Sequence, residues 1–206
     1  MDKKINNITA FILAGGNSLR MGTNKALLKI NGELLINRLL STLHKVFENV
    51  FVSISDIDSS DYTGKNIVRD IVTNKGPLGG IHSCLKFTNN EKNFFISCDM
   101  PFIGEEIAQF LCNYKTEAEI LLPKEGQKIH QMCGIYSKSI ISEVEELLFA
   151  SDIKKNNLKG SIFELMEKVN VEYVDVRKLK FYHKDLFFNM NTPEDFQYVE
   201  DKFARE

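Results

Sequence analysis

Thr9-Ala10-Phe11-Ile12-Leu13-Ala14-Gly15-Gly16 is the stretch on which the fold turns. An unbroken apolar run reads as a strand buried on both faces, and the Gly15-Gly16 pair stops it abruptly. Downstream, Leu35, Ile36, Leu39, Leu40, Leu43, Val46 and Phe47 recur at helical spacing, predicting an amphipathic helix. Val50–Ile54 reads as a second strand and Ile67-Val68 as a short third one. Gly76-Pro77-Leu78-Gly79-Gly80 reads as a loop opening a helix through Ile81, Cys84 and Leu85. Phe94–Cys98 is the clearest strand; it ends at Asp99, and Pro101 prevents a regular ladder beyond it. Helices are expected over Glu105–Tyr114 and Ile140–Phe149, with strands over Glu119–Leu122 and Met132–Tyr136 between them. The polar segment Ser151–Lys159 reads as a surface loop. Thr192-Pro193-Glu194-Asp195 carries a helix-start signature of N-cap threonine, N1 proline and acids in the first turn.

Strands alternating with helices predict a three-layer α/β/α, Rossmann-like domain around a mostly parallel, mixed sheet. At 206 residues the chain suits one domain, residues 1–206, better than two. A net charge of −2 gives no reason to expect nucleic acid or an anionic membrane as the main partner. No run reaches membrane-spanning length and the first residues lack a secretory pattern, so the expected location is cytoplasmic. Cys84, Cys98, Cys112 and Cys133 stand singly in apolar stretches, as reduced, buried thiols do, with no zinc-ligand spacing.

Chemistry is expected beyond the carboxyl ends of the strands, where open α/β sheets bind ligands. In Leu13-Ala14-Gly15-Gly16-Asn17-Ser18-Leu19-Arg20-Met21-Gly22-Thr23-Asn24-Lys25, glycines let the backbone approach phosphate oxygens, and Arg20 and Lys25 can neutralise them. The loop is neither a P-loop, lacking GK[ST], nor a GxGxxG fingerprint. Asp99, at the end of its strand, offers a hard oxygen for Mg²⁺ beside a triphosphate, though a turn-capping role is an equal reading from the residues alone. Asp70 can enter the same crevice, or pair at the surface with Arg69 or Lys75. The four histidines have ordinary readings: His44 on a helix, His82 at a helix start, His130 at a strand edge and His183 in a polar stretch.

LAGGNSLRMGTNKALL, RD…GPLGGI, CDMPF and NMNTPEDF, in that order from Leu13 to Phe196, resemble the molybdenum cofactor guanylyltransferase (MobA-type) family of nucleotidyltransferases. The resemblance implies the nucleotide-diphospho-sugar-transferase type of fold. It further implies transfer of GMP from GTP to the phosphate of molybdopterin, with Mg²⁺ and release of pyrophosphate. By position, Leu13, Ala14, Gly15 and Gly16 would wrap the nucleotide and Lys25 would meet its phosphates, with Arg20 as a second cation. Asp70, and Gly79 and Gly80 near the guanosine, would contact the nucleotide; Asp99 would bind nucleotide and metal; Asn189 and Asn191 would lie on the acceptor side. The molybdenum cofactor is the implied acceptor, with room for transient contact with cofactor-biosynthesis proteins or acceptor enzymes.

Three positions depart from the family pattern. Asn24 stands where Asp is usual, Ser53 replaces a nucleotide-contacting asparagine, and His130-Gln131-Met132 lacks the proline of an HPL-like turn. The Ala14-Gly15-Gly16 opening favours guanine over the AAG-type opening of related cytidylyl enzymes. The rival readings are a molybdopterin cytidylyltransferase, a sugar-phosphate nucleotidyltransferase of the same fold, or a non-catalytic nucleotide-binding adaptor.

Overall fold

The computed structural model describes residues 3–15, 25–55, 64–149 and 161–204. The first run forms β1 (Ile8–Leu13), all six residues of it buried. Its alternate residues serve two cores. Ala10 and Ile12 join one cluster, Phe11 and Leu13 the other. This explains the continuous apolar pattern: a central strand has no solvent face.

Around β1 the chain builds β4 (Val50–Ile54), β5 (Ile67–Arg69) and β6 (Lys92–Ser97), with β1 parallel to both β4 and β6. Beyond β6 come β9 (Cys133–Ser137), β7 (Ile120–Glu125) and β10 (Val171–Asp175). The sheet order is β10-β7-β9-β6-β1-β4-β5, and β8 (Lys128–Ile129) pairs antiparallel with β7. Within the main path β9 alone runs antiparallel to its neighbours among the described strands. The chain first builds from β1 through β4 to β5, then returns across β1 to β6. Such a reversal is where open α/β sheets place their ligand crevice, here at the carboxyl ends of β1 and β6.

One face of the sheet is covered by α1 (Leu35–Val46), α3 (Glu105–Asn113) and α6 (Pro193–Phe203), whose buried residues share a cluster with Ala10, Ile12, Phe94 and Ile96. The other face is covered by α2 (Gly76–Phe87), α4 (Ile141–Phe149) and α5 (Ile162–Met166), around Phe11, Leu13 and Phe95. The three-layer, mixed-sheet expectation therefore holds.

Several details differ from the sequence expectation. Gly76–Gly80 is the first turn of α2 and not a loop before it. Gly79 and Gly80 are pressed inward: a Cβ at Gly79 would meet the Val72 carbonyl at 2.8 Å, and one at Gly80 would meet Leu13 and Ser53 at 3.1 Å. Gly80 lets the helix lie close on β1 and β4, and Gly79 lets it lie close on the Val72 backbone in the loop after β5. Strand β7 continues through Pro123, which lies past the last residue registered with β9. A small hairpin, β2 (Lys29–Ile30) and β3 (Glu33–Leu34), and the helix α5 carry too few residues for periodicity to show them. The Ser151–Lys159 segment lies outside the described residues.

Candidate active site

The crevice is assembled from strand ends. The Ala14 N–H donates to the Ser53 carbonyl at 2.8 Å, and the Cys98 N–H donates to the Leu13 carbonyl at 3.1 Å. The turn after β1 is thereby stitched to both neighbours, and Gly15 emerges exposed between them. A side chain at Gly15 would meet the Ser55 backbone nitrogen at 3.0 Å, so only glycine fits this close approach without a shift.

Lys25 opens a short 3-10 turn, Lys25–Leu27, and its Nζ donates to Asn191 Oδ1 at 2.7 Å across 166 residues of sequence. The neighbouring Met190 N–H donates to the Asp99 carbonyl at 2.8 Å. Lys25 and Asp99 are thus tied to consecutive residues of the same strap, whose Cα atoms are about 3.8 Å apart. Cys98 registers both groups: burial pushes its thiol up to about 12, Asp99 adds to the rise and Lys25 opposes it. Half-buried Asp99 keeps Oδ1 out of solvent with no hydrogen-bond partner among the described residues. A buried carboxylate oxygen left this way is costly unless a cation meets it.

On the other flank of β1, Asp70 Oδ1 accepts a hydrogen bond from Ser53 Oγ at 3.3 Å. Burial pushes the Asp70 carboxyl up to about 6, against a smaller opposing effect of the Ser53 bond. The Asp70 reading as a surface charge is not what the structure has: the carboxylate lies 3.7 Å from where a Cβ on Gly80 would sit. Ser53, where the family has an asparagine, is buried and holds this aspartate. Ser53 is not among the site residues expected from the sequence, because it stands in place of the asparagine that the resemblance implies there.

Asn189 Nδ2 donates to the Phe187 carbonyl at 3.3 Å, and Asn191 Nδ2 to the Asn189 carbonyl at 3.4 Å. The two asparagines are therefore part of one folded strap before α6. Gly16 and Arg20 lie outside the described residues. His82 and His130 are both buried and partnered by carboxylates, Glu145 at 3.2 Å and Glu125 at 2.8 Å respectively. Among the described residues no cluster of three or more His, Cys, Asp or Glu side chains could enclose a metal. A hard cation at Asp99 would have to complete its shell with water and ligand oxygens, as Mg²⁺ commonly does with phosphates.

The strand order, with its single reversed strand and the crevice at the β1–β6 reversal, is that of the nucleotidyltransferase class of α/β folds. The sequence model described as the MobA-like NTP transferase domain matches residues 10–164, and the chain belongs to that family. A probable molybdenum cofactor guanylyltransferase of Clostridium perfringens strain SM101 is 34% identical over 92% of this chain and 94% of its own length. Another of that name, from Pelotomaculum thermopropionicum, is 34% identical over 91% of this chain and 89% of its own. Among solved structures, molybdopterin-guanine dinucleotide biosynthesis protein A from Archaeoglobus fulgidus superposes with a TM-score of 0.79, covering 97% of this chain and 100% of that one. At 24% identity that likeness speaks for the fold.

Proposed function

We propose that this chain transfers GMP from GTP to the terminal phosphate of molybdopterin, in the molybdenum cofactor, releasing pyrophosphate. The observation that supports the reading is that Lys25 and the Asp99 strand end are both bonded to one strap, beside the β1 turn. The relatives named as molybdenum cofactor guanylyltransferases support guanine as the base.

An oxygen of the acceptor phosphate attacks the α-phosphorus; a new P–O bond forms as the bond to the β-phosphate breaks. The acceptor phosphate monoester is already largely ionised near neutral pH, its second pKa being about 6. No strong general base is needed, which suits a structure in which buried His82 and His130 are each held by a glutamate. The work left to the protein is positioning and charge neutralisation. Gly15 gives the phosphates room beside the backbone, and the Lys25 ammonium binds and neutralises them. Asp99, with its unpartnered Oδ1, fits Mg²⁺. When bound there, the ion would supply positive charge to offset that building on the departing pyrophosphate. Asp70, ionised above about pH 6, accepts hydrogen bonds from the nucleoside.

The test is pyrophosphate release from GTP, CTP and ATP in turn, with Mg²⁺ and molybdenum-loaded molybdopterin, followed by mass analysis of the product. Release with GTP and a product heavier by GMP is expected. Preference for CTP would overturn the assignment of the base, and no release with any nucleotide would overturn the transferase.

A further inference from the structure

The strap before α6 is anchored more heavily than a helix start requires. Thr192 Oγ1 accepts from the Asp195 N–H at 3.2 Å, and Asp195 Oδ2 accepts from the Thr192 N–H at 2.8 Å. These two bonds make a capping box, which by itself satisfies the helix end. Asp195 Oδ2 makes one bond more, accepting from the Asn191 N–H, also at 2.8 Å. The two N–H groups belong to the peptide planes on either side of the Asn191 Cα. One carboxylate oxygen therefore fixes both planes, and with them the direction in which the Asn191 amide projects toward Lys25.

We propose that Asp195 is a positioning residue for the triphosphate: through Asn191 it holds the Lys25 ammonium in place without neutralising it. The inference rests on the nucleotide-binding reading above. A lysine stem is rich in rotamers, so an ammonium awaiting phosphate benefits from a fixed partner. Asn191 is the right kind of partner, since a neutral amide takes one of three N–H donors and leaves the positive charge and two donors for phosphate. A carboxylate in the same place would compete with the ligand. Asp195 is close enough for its charge to interact with Lys25, yet its Oδ2 is committed to the two backbone N–H groups.

A double-mutant cycle on GTP binding tests this, measured by titration calorimetry with Mg²⁺ on wild type, Asp195→Ala, Lys25→Ala and the double variant. Asp195→Ala should weaken GTP about tenfold when Lys25 is present and have almost no further effect when Lys25 is alanine. Equal weakening in both backgrounds, or none with Lys25 intact, would overturn the proposal. Asp195→Asn keeps an acceptor oxygen and should recover most of the affinity; a loss as large as that of Asp195→Ala would count against positioning. Tyr198→Phe removes a bond from Tyr198 Oη to Asp185 that anchors α6 farther along the helix, and it should leave GTP affinity unchanged. An equal loss there would mean that general loosening of α6 explains the effect. Wild-type protein that binds no nucleoside triphosphate would overturn the functional reading itself, and this proposal with it.

Discussion

The two ends of the central strands handle buried polarity in opposite ways. At the amino ends, neutral groups bond to one another: Thr88 Oγ1 to Thr9 Oγ1 at 3.1 Å, Asn90 Nδ2 to the same Thr9 oxygen at 2.9 Å, and Asn93 Nδ2 to the Asn90 carbonyl at 3.1 Å. Among the described residues, only the side-chain acceptor of Asn93, Oδ1, is left over in that group. At the carboxyl ends the polar groups are two carboxylates, one holding a single 3.3 Å hydrogen bond and the other an unpartnered buried oxygen. A neutral network fixes strand register at little cost. Carboxylates kept short of partners lower stability until something positive or hydrogen-donating arrives. The amino end holds the sheet together, and the carboxyl end keeps the under-partnered carboxylates that the proposed ligand site would use.

Substitutions at the two ends should separate accordingly. Asp99→Asn should reduce turnover about 10²- to 10³-fold, the scale on which a group that stabilises transition-state charge contributes. It should leave the melting temperature unchanged or raised, because an uncompensated charge has gone. A melting temperature that fell as steeply as activity would make Asp99 a structural residue and erase the contrast.

Asp70→Asn comes next in size. The folded protein raises this carboxyl from 3.8 to about 6. The proton is therefore held more tightly folded than unfolded, and stability present below pH 3.8 is lost as pH rises through 6. Removing the charge should stabilise the protein by about 1–2 kcal/mol at pH 7.5, below the full value of a two-unit shift because the group is partly exposed. No gain should appear at pH 4. Melting curves at the two pH values check the sign; a gain at pH 4 equal to that at pH 7.5 would refute the burial argument. At the amino end, Thr88→Val should cost about 1 kcal/mol and leave turnover intact. Lost turnover there would break the division of roles between the two ends.

Sequence patterns exposed the layers because periodicity reports burial: β1 and β6 read as apolar runs, and α1 as a 3.6-residue stripe. The position of Asp99 just past its strand was legible too, since a carboxylate between a strand and Pro101 stands out. The helical setting of Gly79 and Gly80 was hidden because glycine, a poor helix former, reads as loop until its contacts are known. The Lys25–Asn191 bond was equally invisible, as no local pattern links residues 166 apart. The TPED signature announced a helix start correctly, but not that Asp195 would also bind the Asn191 backbone.

Val199 is the one fully buried residue of α6 among those described in the helix, with Phe196 and Phe203 partly buried against the core, so the helix is seated by one narrow face and by its polar ends. Segments of that kind open locally at a fraction of the global unfolding free energy. Since Lys25 is set only while α6 is docked, each opening would release the phosphate cation while the sheet stays intact. The observed affinity for triphosphate would then be the intrinsic affinity scaled by the fraction of time α6 is seated. A bound ligand would in turn lengthen that time, so that the helix end and the phosphate site share one equilibrium.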